Sequence, residues 1–511
     1  MDQFQHPESI VAHRRVVFRS LGIAVAAGLL VLFMFAPRFS LWRAVLLDHR
    51  LPFPETHRAR DALAQLQDPW VQSDSPSNAV LSWRLLFPLV WHYGKLPPLA
   101  YLAMPFLGCV LTLWLAAWLS LRRLGDWRRT WMATALFAAL PWFFVSTGWL
   151  AYFDSWLMLG MLVAAFIPSR VALALVCLSM PWIDERFLLA LPVVVPVRMI
   201  ALGRIEQGAW RGLLADLAVI VAASCPYLGI RAAIWLRGDP GSSGYVRQYW
   251  AEMLTVPLPR FLVGLWSGYR AAWLMIGAAI CFVAQRLGWR WAGPLAVLVI
   301  VSAVGSLLVA ADMSRSLSIE APVMLLGAWL WCEDKKPGAR YALPVVLAAN
   351  LLLPASHVIW HFSVDLRYLY TEIDNLQKPP RELQPDTYFG MAKELREGGD
   401  LAGAEWAYDV AIRLDDKFAQ AYAGRASLRL QKGNVDAGLA DLETALQLKP
   451  DLADALLMRA AVYRSRGQTS AAIEDLRKAL AGAPTDWPLR EETQEFLDLL
   501  LRTAAPPKPV P

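Results

Sequence analysis

Residues 16–36, VVFRSLGIAVAAGLLVLFMFA, decide the fold class of this 511-residue chain. Arg19 carries the only charge in this stretch, and about 20 apolar residues are enough for a helix to cross the hydrocarbon core of a bilayer. Arg14 and Arg15 precede the stretch, and no small-residue cleavage site follows it. We therefore predict that residues 1–36 form an N-terminal segment and an uncleaved first transmembrane helix.

The same apolar pattern recurs through the next 320 or so residues. The chain is 57% hydrophobic and only 18% charged, whereas a soluble domain is about one quarter charged. Further apolar runs cover residues 97–120, 130–149, 156–168, 171–183, 186–202, 212–236, 264–286, 291–311, 317–333 and 340–360. With the first run they predict an all-α bundle of about 11 transmembrane helices. The runs 156–168 and 171–183 are short for full crossings and could be half-helices.

Basic residues gather in every second loop between these runs. The basic loops contain Arg14, Arg15, Arg19, Arg122, Arg123, Arg128, Arg129, Arg170, Arg198, Arg204, Arg211, Arg286, Arg290, Lys335, Lys336 and Arg340. Short basic loops stay in the cytoplasm, so the N-terminus is predicted inside. Residues 37–96 then form a long outer loop with an interfacial helix near 79–93. An odd number of crossings predicts a periplasmic C-terminal domain on a protein of the cell inner membrane.

The C-terminal third has a different composition and a 34-residue period. Gly399, Gly433 and Gly467 are spaced by 34 residues, and alanines repeat in step with them. A glycine between two helices supplies a left-handed turn, and alanines let paired helices pack closely. The pattern resembles the tetratricopeptide repeat. We predict an α-solenoid with repeats at 383–416, 417–450 and 451–484.

The remaining segments complete the predicted domain layout. After the bundle at 97–362, residues 363–382 are assigned to a linker, and residues 383–503 to three repeats plus a capping helix near 487–503. Residues 504–511 are predicted to be disordered. Such repeats bind a protein or peptide partner in a groove, although a spacer role is the alternative. No long Lys/Arg block is present, so nucleic acid is not an expected partner.

Ionisable residues recur at the predicted outer ends of the apolar runs. Asp154 lies between two apolar runs, as does the triplet Asp184, Glu185 and Arg186, and Asp312 precedes Arg315 in a similar position. Charged groups at membrane depth are costly, so each marks a candidate site. The alternative is that acidic outer turns only mirror the basic inner loops.

This layout resembles the GT-C class of integral-membrane glycosyltransferases. Gln67-Asp68-Pro69 followed by Ser82-Trp83-Arg84-Leu85-Leu86-Phe87-Pro88 is similar to the first-loop motif of bacterial members, with one extra residue before the proline. Phe153-Asp154 is similar to their second outer loop. Asp184-Glu185-Arg186 and Asp312-Met313-Ser314-Arg315 are similar to their later acidic turns. The resemblance implies a sugar donor linked to a polyprenyl phosphate.

The resemblance also implies roles for particular residues. Candidate catalytic carboxylates are Asp68, Asp154, Asp48 and Asp61. Candidate ligands of the substrate or lipid phosphate are Arg84, Asp184, Glu185, Arg186, Asp312 and Arg315. A carboxylate can act as general base for the acceptor hydroxyl, or hold a divalent metal such as Mg²⁺ or Mn²⁺, and an arginine fork can bind phosphate.

Two other function classes compete with the glycosyltransferase hypothesis. The chain could be a non-enzymatic multi-pass scaffold whose repeats assemble an envelope complex, but one helix would suffice as an anchor. It could be a transporter, but the membrane half shows no internal repeat. The enzyme hypothesis is therefore preferred, with the repeats recruiting a partner or acceptor.

Overall fold

The computed structural model describes residues 7–35, 38–39, 42, 56–71, 83–205, 210–236, 256, 258–309, 312–334, 339–359, 362–366, 369, 372–373, 385–397, 401–484 and 486–504. The chain forms two compact units, Met1–Leu376 and Gln377–Pro511. Much of the predicted outer loop, most of the predicted linker and the tail after residue 504 lie outside the described residues.

The first unit is almost entirely helical. Its α-helices are α1 (Pro7–Met34), α2 (Thr56–Gln67), α3 (Leu86–Gly94), α4 (Pro98–Leu124), α5 (Trp127–Ala138), α6 (Pro141–Gly148), α7 (Asp154–Phe166), α8 (Arg170–Ser179), α9 (Arg186–Ala201), α10 (Trp210–Leu236), α11 (Leu258–Tyr269), α12 (Trp273–Leu287), α13 (Trp289–Val309), α14 (Met313–Ser316), α15 (Ala321–Glu333) and α16 (Ala339–Leu352). Short 3-10 turns at Met180–Trp182, Arg270–Ala272 and Leu317–Glu320 join some of them.

The prediction of about 11 transmembrane helices is wrong. Within the described residues, 5 segments are long and apolar enough to cross a membrane, or up to 6 when the bent pair α5–α6 is one span. These segments are Arg14–Met34, Pro98–Leu124, Trp210–Ala233, Leu258–Leu287 and Trp289–Leu308. The C-terminal unit would be on the opposite side of the membrane from the N-terminus with 5 crossings and on the same side with 6. The count therefore does not place this unit outside.

The overcount has a physical cause in the short central helices. Helices α7 and α15 have 13 residues each, which is about 20 Å of helix against a hydrocarbon core of about 30 Å. From Ala321 to Leu330 every side chain of α15 is buried. Protein surrounds this helix on all sides, so its uniform apolar pattern reflects a core position.

Close backbone contact between helices requires glycine at one position. A Cβ atom added to Gly327 of α15 would lie 1.8 Å from the carbonyl oxygen of Met275 in α12. Helix α7 is joined to α4 by hydrogen bonds from Thr112 Oγ1 to the Ser155 carbonyl (2.7 Å) and from Trp156 Nε1 to the Met104 carbonyl (2.9 Å). Small residues and polar links of this kind are typical of helix packing in lipid.

The apolar run at 130–149, predicted as one helix, is two helices. Helices α5 and α6 meet at a bend of 63° just before Pro141. Proline has no backbone N–H, so the carbonyl of Phe137 loses its helical donor. The indole Nε1 of Trp142 donates to that carbonyl at 2.9 Å, and the bend is therefore compatible with a buried position.

The predicted helix at 340–360 is also shorter than expected. Helix α16 ends at Leu352, and Pro354 excludes helical backbone before it. An antiparallel hairpin follows, with β1 (Ser356–Ile359) paired to β2 (Phe362–Asp365) and His357 opposite Val364. The first unit is therefore helical with one small sheet, which the all-α prediction did not include.

The second unit consists of antiparallel helix pairs. They are α17 (Pro385–Glu397) with α18 (Leu401–Leu414), α19 (Ala419–Gln431) with α20 (Val435–Leu448), α21 (Ala453–Ser465) with α22 (Thr469–Gly482), and a last helix α23 (Arg490–Ala504). Gly433 and Gly467 have φ of 81° and 75°, as expected for left-handed turns. Gly399 lies outside the described residues. The recurring alanines, among them Ala426 and Ala460, are fully buried.

Candidate functional site

Eight charged or titratable side chains from separate parts of the first unit form one group, here called the charged cluster. Its members are Arg84, Asp154, Asp184, Glu185, Arg186, Asp312, Arg315 and His357. They come from the segment before α3, the first residues of α7 and α9, the turn before α9, the start of α14, and β1. The structure thus brings together seven residues that the sequence singled out, and adds His357.

Arg186 lies at the centre of the charged cluster. Its Nη2 donates to Asp154 Oδ1 at 2.7 Å and to Asp184 Oδ2 at 2.5 Å, and its Nε donates to Asp184 Oδ1 at 2.9 Å. Asp184 Oδ1 also accepts from the backbone N–H of Arg186 at 3.1 Å, at the first turn of α9. Both carboxylates are about 1% exposed. One guanidinium therefore ties the starts of α7 and α9 together.

Arg84 connects the outer segment to this centre. Its Nη2 and Nε donate to the two carboxylate oxygens of Glu185 at 2.9 and 3.1 Å, a bidentate pair. Its Nη1 lies 3.5 Å from Asp184 Oδ2. Burial would raise the pKa of Asp184, but Arg186 and Arg84 together lower it well below its ordinary value. Asp184 is therefore a carboxylate that stays ionised.

Arg315 forms the other side of the cluster. Its Nε lies 3.3 Å from both Asp154 Oδ1 and Asp312 Oδ2, and its guanidinium stacks over the ring of Tyr152 at 4.7 Å. Asp312 also caps α14 by accepting from the backbone N–H of Arg315. Burial would raise the pKa of Asp312, but His357 and Arg315 lower it to about 2.

His357 is a member that sequence reasoning missed. Its Nε2 lies 3.2 Å from Asp312 Oδ2, and its Nδ1 lies 3.3 Å from Ser314 Oγ. Ser314 Oγ accepts from the backbone N–H of Val358 at 3.0 Å, so β1 is held against α14. Pro354 was the available signal, because it ends the apolar helix before His357 and changes the backbone that presents it.

Two of the arginines have buried donors without a hydrogen-bond partner. Arg186 Nη1 and Arg315 Nη1 are buried and, among the described residues, donate to no acceptor. Arg186 is 9% exposed and Arg315 is 8% exposed. A buried guanidinium N–H left unbonded costs free energy, so such groups need an explanation such as a ligand. An anion with several oxygen acceptors would satisfy both.

The other predicted catalytic carboxylates lie in α2, just after α2, or outside the described residues. Asp61 is half-buried within α2, and Asp68 is exposed just after it. The carboxylate of Asp68 accepts from the backbone N–H of Trp70 at 3.0 Å, which closes a turn. Helix α2 rests near α3, since His92 Nδ1 lies 3.1 Å from the Leu66 carbonyl. Asp48 lies outside the described residues.

The cluster's carboxylates do not suit a divalent metal. Mg²⁺ and Mn²⁺ prefer oxygen ligands with open lone pairs, whereas Asp154, Asp184 and Asp312 each face at least one guanidinium. Within the described ranges, no group of three or more His, Cys, Asp or Glu side chains has the arrangement of metal ligands. No chemical step is therefore assigned to a metal here.

A second group of ion pairs, centred on the buried Asp216 and here called the Asp216 latch, lies at the opposite ends of α7 and α9. Asp216 accepts from Arg198 Nε at 2.7 Å, from Arg170 Nε at 2.9 Å, and from Arg204 Nη1. Arg198 also donates to the carbonyls at the end of α7, those of Ala164, Ile167 and Pro168, at 2.9, 2.5 and 3.1 Å. The latch satisfies backbone carbonyls that a helix end leaves open.

A protein-family comparison matches part of the C-terminal unit. Residues 419–452 and 453–486 each match the tetratricopeptide repeat family, in agreement with α19–α20 and α21–α22. No curated protein sequence matches the chain. Residues 419–486 are thus tetratricopeptide repeats, a fold that indicates binding of a protein partner.

Proposed function

We propose that the chain is a membrane-embedded glycosyltransferase whose active site is the charged cluster. The donor is a sugar linked to a polyprenyl phosphate, and the repeats recruit the acceptor or a protein partner. The observation that carries the proposal is the pair of buried donors Arg186 Nη1 and Arg315 Nη1, which have no acceptor among the described residues and lie beside carboxylates. It is supported by the resemblance to GT-C enzymes at Asp154, Asp184-Glu185-Arg186 and Asp312 to Arg315.

The proposed reaction uses these groups in two roles. Arg186 and Arg315 bind the donor phosphate through their open Nη1 groups and stabilise the negative charge that it gains as it leaves. The bond from the anomeric carbon to the phosphate oxygen breaks, and its electron pair stays on that oxygen. Asp154, which both arginines contact, is the proposed general base: it takes the proton of the acceptor hydroxyl as the acceptor oxygen forms its new bond to the anomeric carbon.

The membrane helices suit a lipid-linked donor. The 5 to 6 apolar segments give the protein a hydrophobic surface, and the donor's polyprenyl tail can remain in lipid while its sugar reaches the cluster. The basic ends of the bundle face the cytoplasm by the positive-inside rule, which leaves the cluster at the outer, periplasmic face of the inner membrane. Asp48, Asp61 and Asp68 remain the other candidate catalytic carboxylates.

The scaffold function remains the alternative, and the repeat match favours it specifically. In that case the charged cluster only holds helix ends together, and the repeats alone carry the biological role. The two functions differ in whether a full-length, folded protein consumes a sugar donor, so one assay separates them.

The test uses the full chain in lipid nanodiscs with synthetic polyprenyl-phosphate sugars. Asp154→Asn is expected to lower the rate of donor consumption by about 10²- to 10⁴-fold, the range for loss of a general base. The control is Asp126→Asn, an exposed N-cap of α5 at the other end of the bundle, where asparagine caps equally well. If folded Asp154→Asn, Asp184→Asn and Asp312→Asn all turn over donor like the wild type, the site is wrong and the scaffold stands.

A further inference from the structure

A cavity lies at the end of the bundle opposite the charged cluster, and it is here called the basic cavity. Its volume is about 500 Å³, and it lies where α4 ends, α5 begins, α15 ends and α16 begins. Its lining includes Arg123, Arg129, Arg340, Glu333, Met132 and Leu343. A smaller cavity of about 250 Å³ shares Arg123 and adds Arg286.

Two acidic residues, Glu333 and Asp334, line this cavity, and Glu333 is already paired. Glu333 accepts from Arg123 Nε at 2.6 Å and from Arg286 Nη1 at 3.1 Å, so one carboxylate faces two guanidinium groups. Arg123 also stacks over the ring of Trp329 at 5.2 Å. Arg123 lines both cavities, whose linings together hold four arginines and two carboxylates, so positive charge is in excess.

The other two arginines bind mainly neutral groups. Arg129 Nη1 donates to the Cys332 carbonyl at 2.8 Å, and its Nε is 3.9 Å from Asp126, beyond hydrogen-bond range. Arg340 Nη2 donates to the hydroxyl of Tyr341 at 2.7 Å. Among the described residues, neither arginine has a carboxylate within hydrogen-bond distance, so both present positive charge to the cavity.

The position of the cavity matches the depth of a lipid headgroup. Arg123 lies in the last turn of the apolar helix α4, at the level where a crossing helix leaves the hydrocarbon core. Apolar side chains, among them Met132 and Leu343, line the same cavity. A basic pocket with apolar walls between helix ends fits a ligand that has an anionic head and hydrocarbon chains.

We propose that the basic cavity binds an anionic phospholipid. The guanidinium groups of Arg129 and Arg340 hold the phosphodiester, and the first methylenes of the acyl chains pack against Met132 and Leu343. The site is separate from the charged cluster, and the proposal does not depend on the glycosyltransferase function.

The experiment measures lipid binding to the purified full chain by native mass spectrometry. Phosphatidylglycerol and phosphatidylcholine with identical acyl chains are titrated in parallel. Each of Arg129→Gln and Arg340→Gln is expected to weaken phosphatidylglycerol binding by about fivefold, the effect of about one charge at a membrane surface. The double variant should lose both contributions.

The control variant is Arg128→Gln. Arg128 is exposed, stacks on Trp127 at 5.5 Å and is a neighbour of Arg129, but it is not part of the cavity lining. It should bind phosphatidylglycerol like the wild type. Equal binding of the two lipids, or an equal loss in Arg128→Gln, would overturn the proposal. So would displacement of the lipid by inorganic phosphate at the same concentration, because the ligand would then be a free anion.

Discussion

The charged cluster and the Asp216 latch are built from the same residue types, yet they use their arginines differently. In the latch, Arg198 donates through Nε, Nη1 and Nη2, and its partners are Asp216 and three carbonyls. In the cluster, Arg186 and Arg315 each leave Nη1 without an acceptor among the described residues. Arg186, Arg315 and Arg198 are all buried, so exposure to water does not explain the difference.

The difference separates a structural network from one suited to a ligand. A buried network in which every polar group has a partner stabilises the residues around it and leaves no hydrogen-bonding group for a ligand. A buried N–H group without an acceptor costs free energy, and a bound anion that accepts its hydrogen bond removes this cost. Because α7 and α9 each run from the cluster to the latch, the latch fixes one end of both helices while the other end carries the proposed site.

The largest expected effect is on the latch. Asp216→Asn leaves Arg198 buried without its carboxylate, and breaking such a pair costs about 3–5 kcal/mol of stability. Thermal unfolding of the detergent-solubilised protein should show the loss, while donor turnover per folded molecule stays at the wild-type level. An equally large stability loss in the Asp126→Asn control would show that the effect is not specific to the carboxylate of the latch.

A smaller effect is expected from acid at the charged cluster. The pKa of Asp312 in the folded protein is about 2, below its ordinary value of 3.8. A carboxylate with a lowered folded-state pKa stabilises the protein above its ordinary pKa, and this contribution is lost as pH falls through the folded-state value. The contribution is about 2 kcal/mol.

The check is the stability difference between the wild type and Asp312→Asn. Asparagine keeps a side-chain acceptor for the α14 cap but has no charge. The difference should be fully present at pH 6 and should shrink between about pH 4 and pH 2. A difference that stays constant over this range would mean that Asp312 is not held ionised by Arg315 and His357.

The sequence predicted these features unequally, for physical reasons. The repeats could be read because Gly433 and Gly467 need a left-handed backbone at fixed spacing. Asp154 and Asp184-Glu185-Arg186 could be found because charge inside apolar sequence is rare. The number of membrane crossings could not be predicted, because a segment such as α15 is apolar whether protein or lipid surrounds it. The contact of His357 with Asp312 depends on a strand that periodicity does not indicate.

The comparison becomes sharper with one substitution made in both networks. Arg186→Lys keeps a positive charge but removes the planar fork, so binding of a polyprenyl-phosphate donor analogue should weaken by about tenfold, or about 1.4 kcal/mol. Arg198→Lys should lower the unfolding temperature and leave analogue binding unchanged. If the two folded variants lose binding of the analogue equally, Arg186 Nη1 does not contact the sugar donor.

The repeats contain a third kind of arginine network, in which the arginines are partly exposed to water, and the smallest effect is expected there. Arg459 donates from Nε and Nη2 to the two oxygens of Asp475 at 2.8 Å each, and Arg425 pairs with Asp441 one repeat earlier. The hydrogen bonds that Arg459 donates to Asp475 raise the pKa of Arg459, whose charge therefore persists at every accessible pH.

Asp475→Asn should cost about 1 kcal/mol, because the pair is half-buried and asparagine still accepts one of the two hydrogen bonds. Hydrogen exchange in α21 and α22 of the full chain measures this loss locally. The matched control is Asp436→Asn, since Asp436 is 93% exposed and its pair with Arg466 should contribute almost nothing. If both substitutions accelerate exchange equally, burial does not determine how much an ion pair contributes to stability. The large effect expected for Asp216→Asn would then lose its basis.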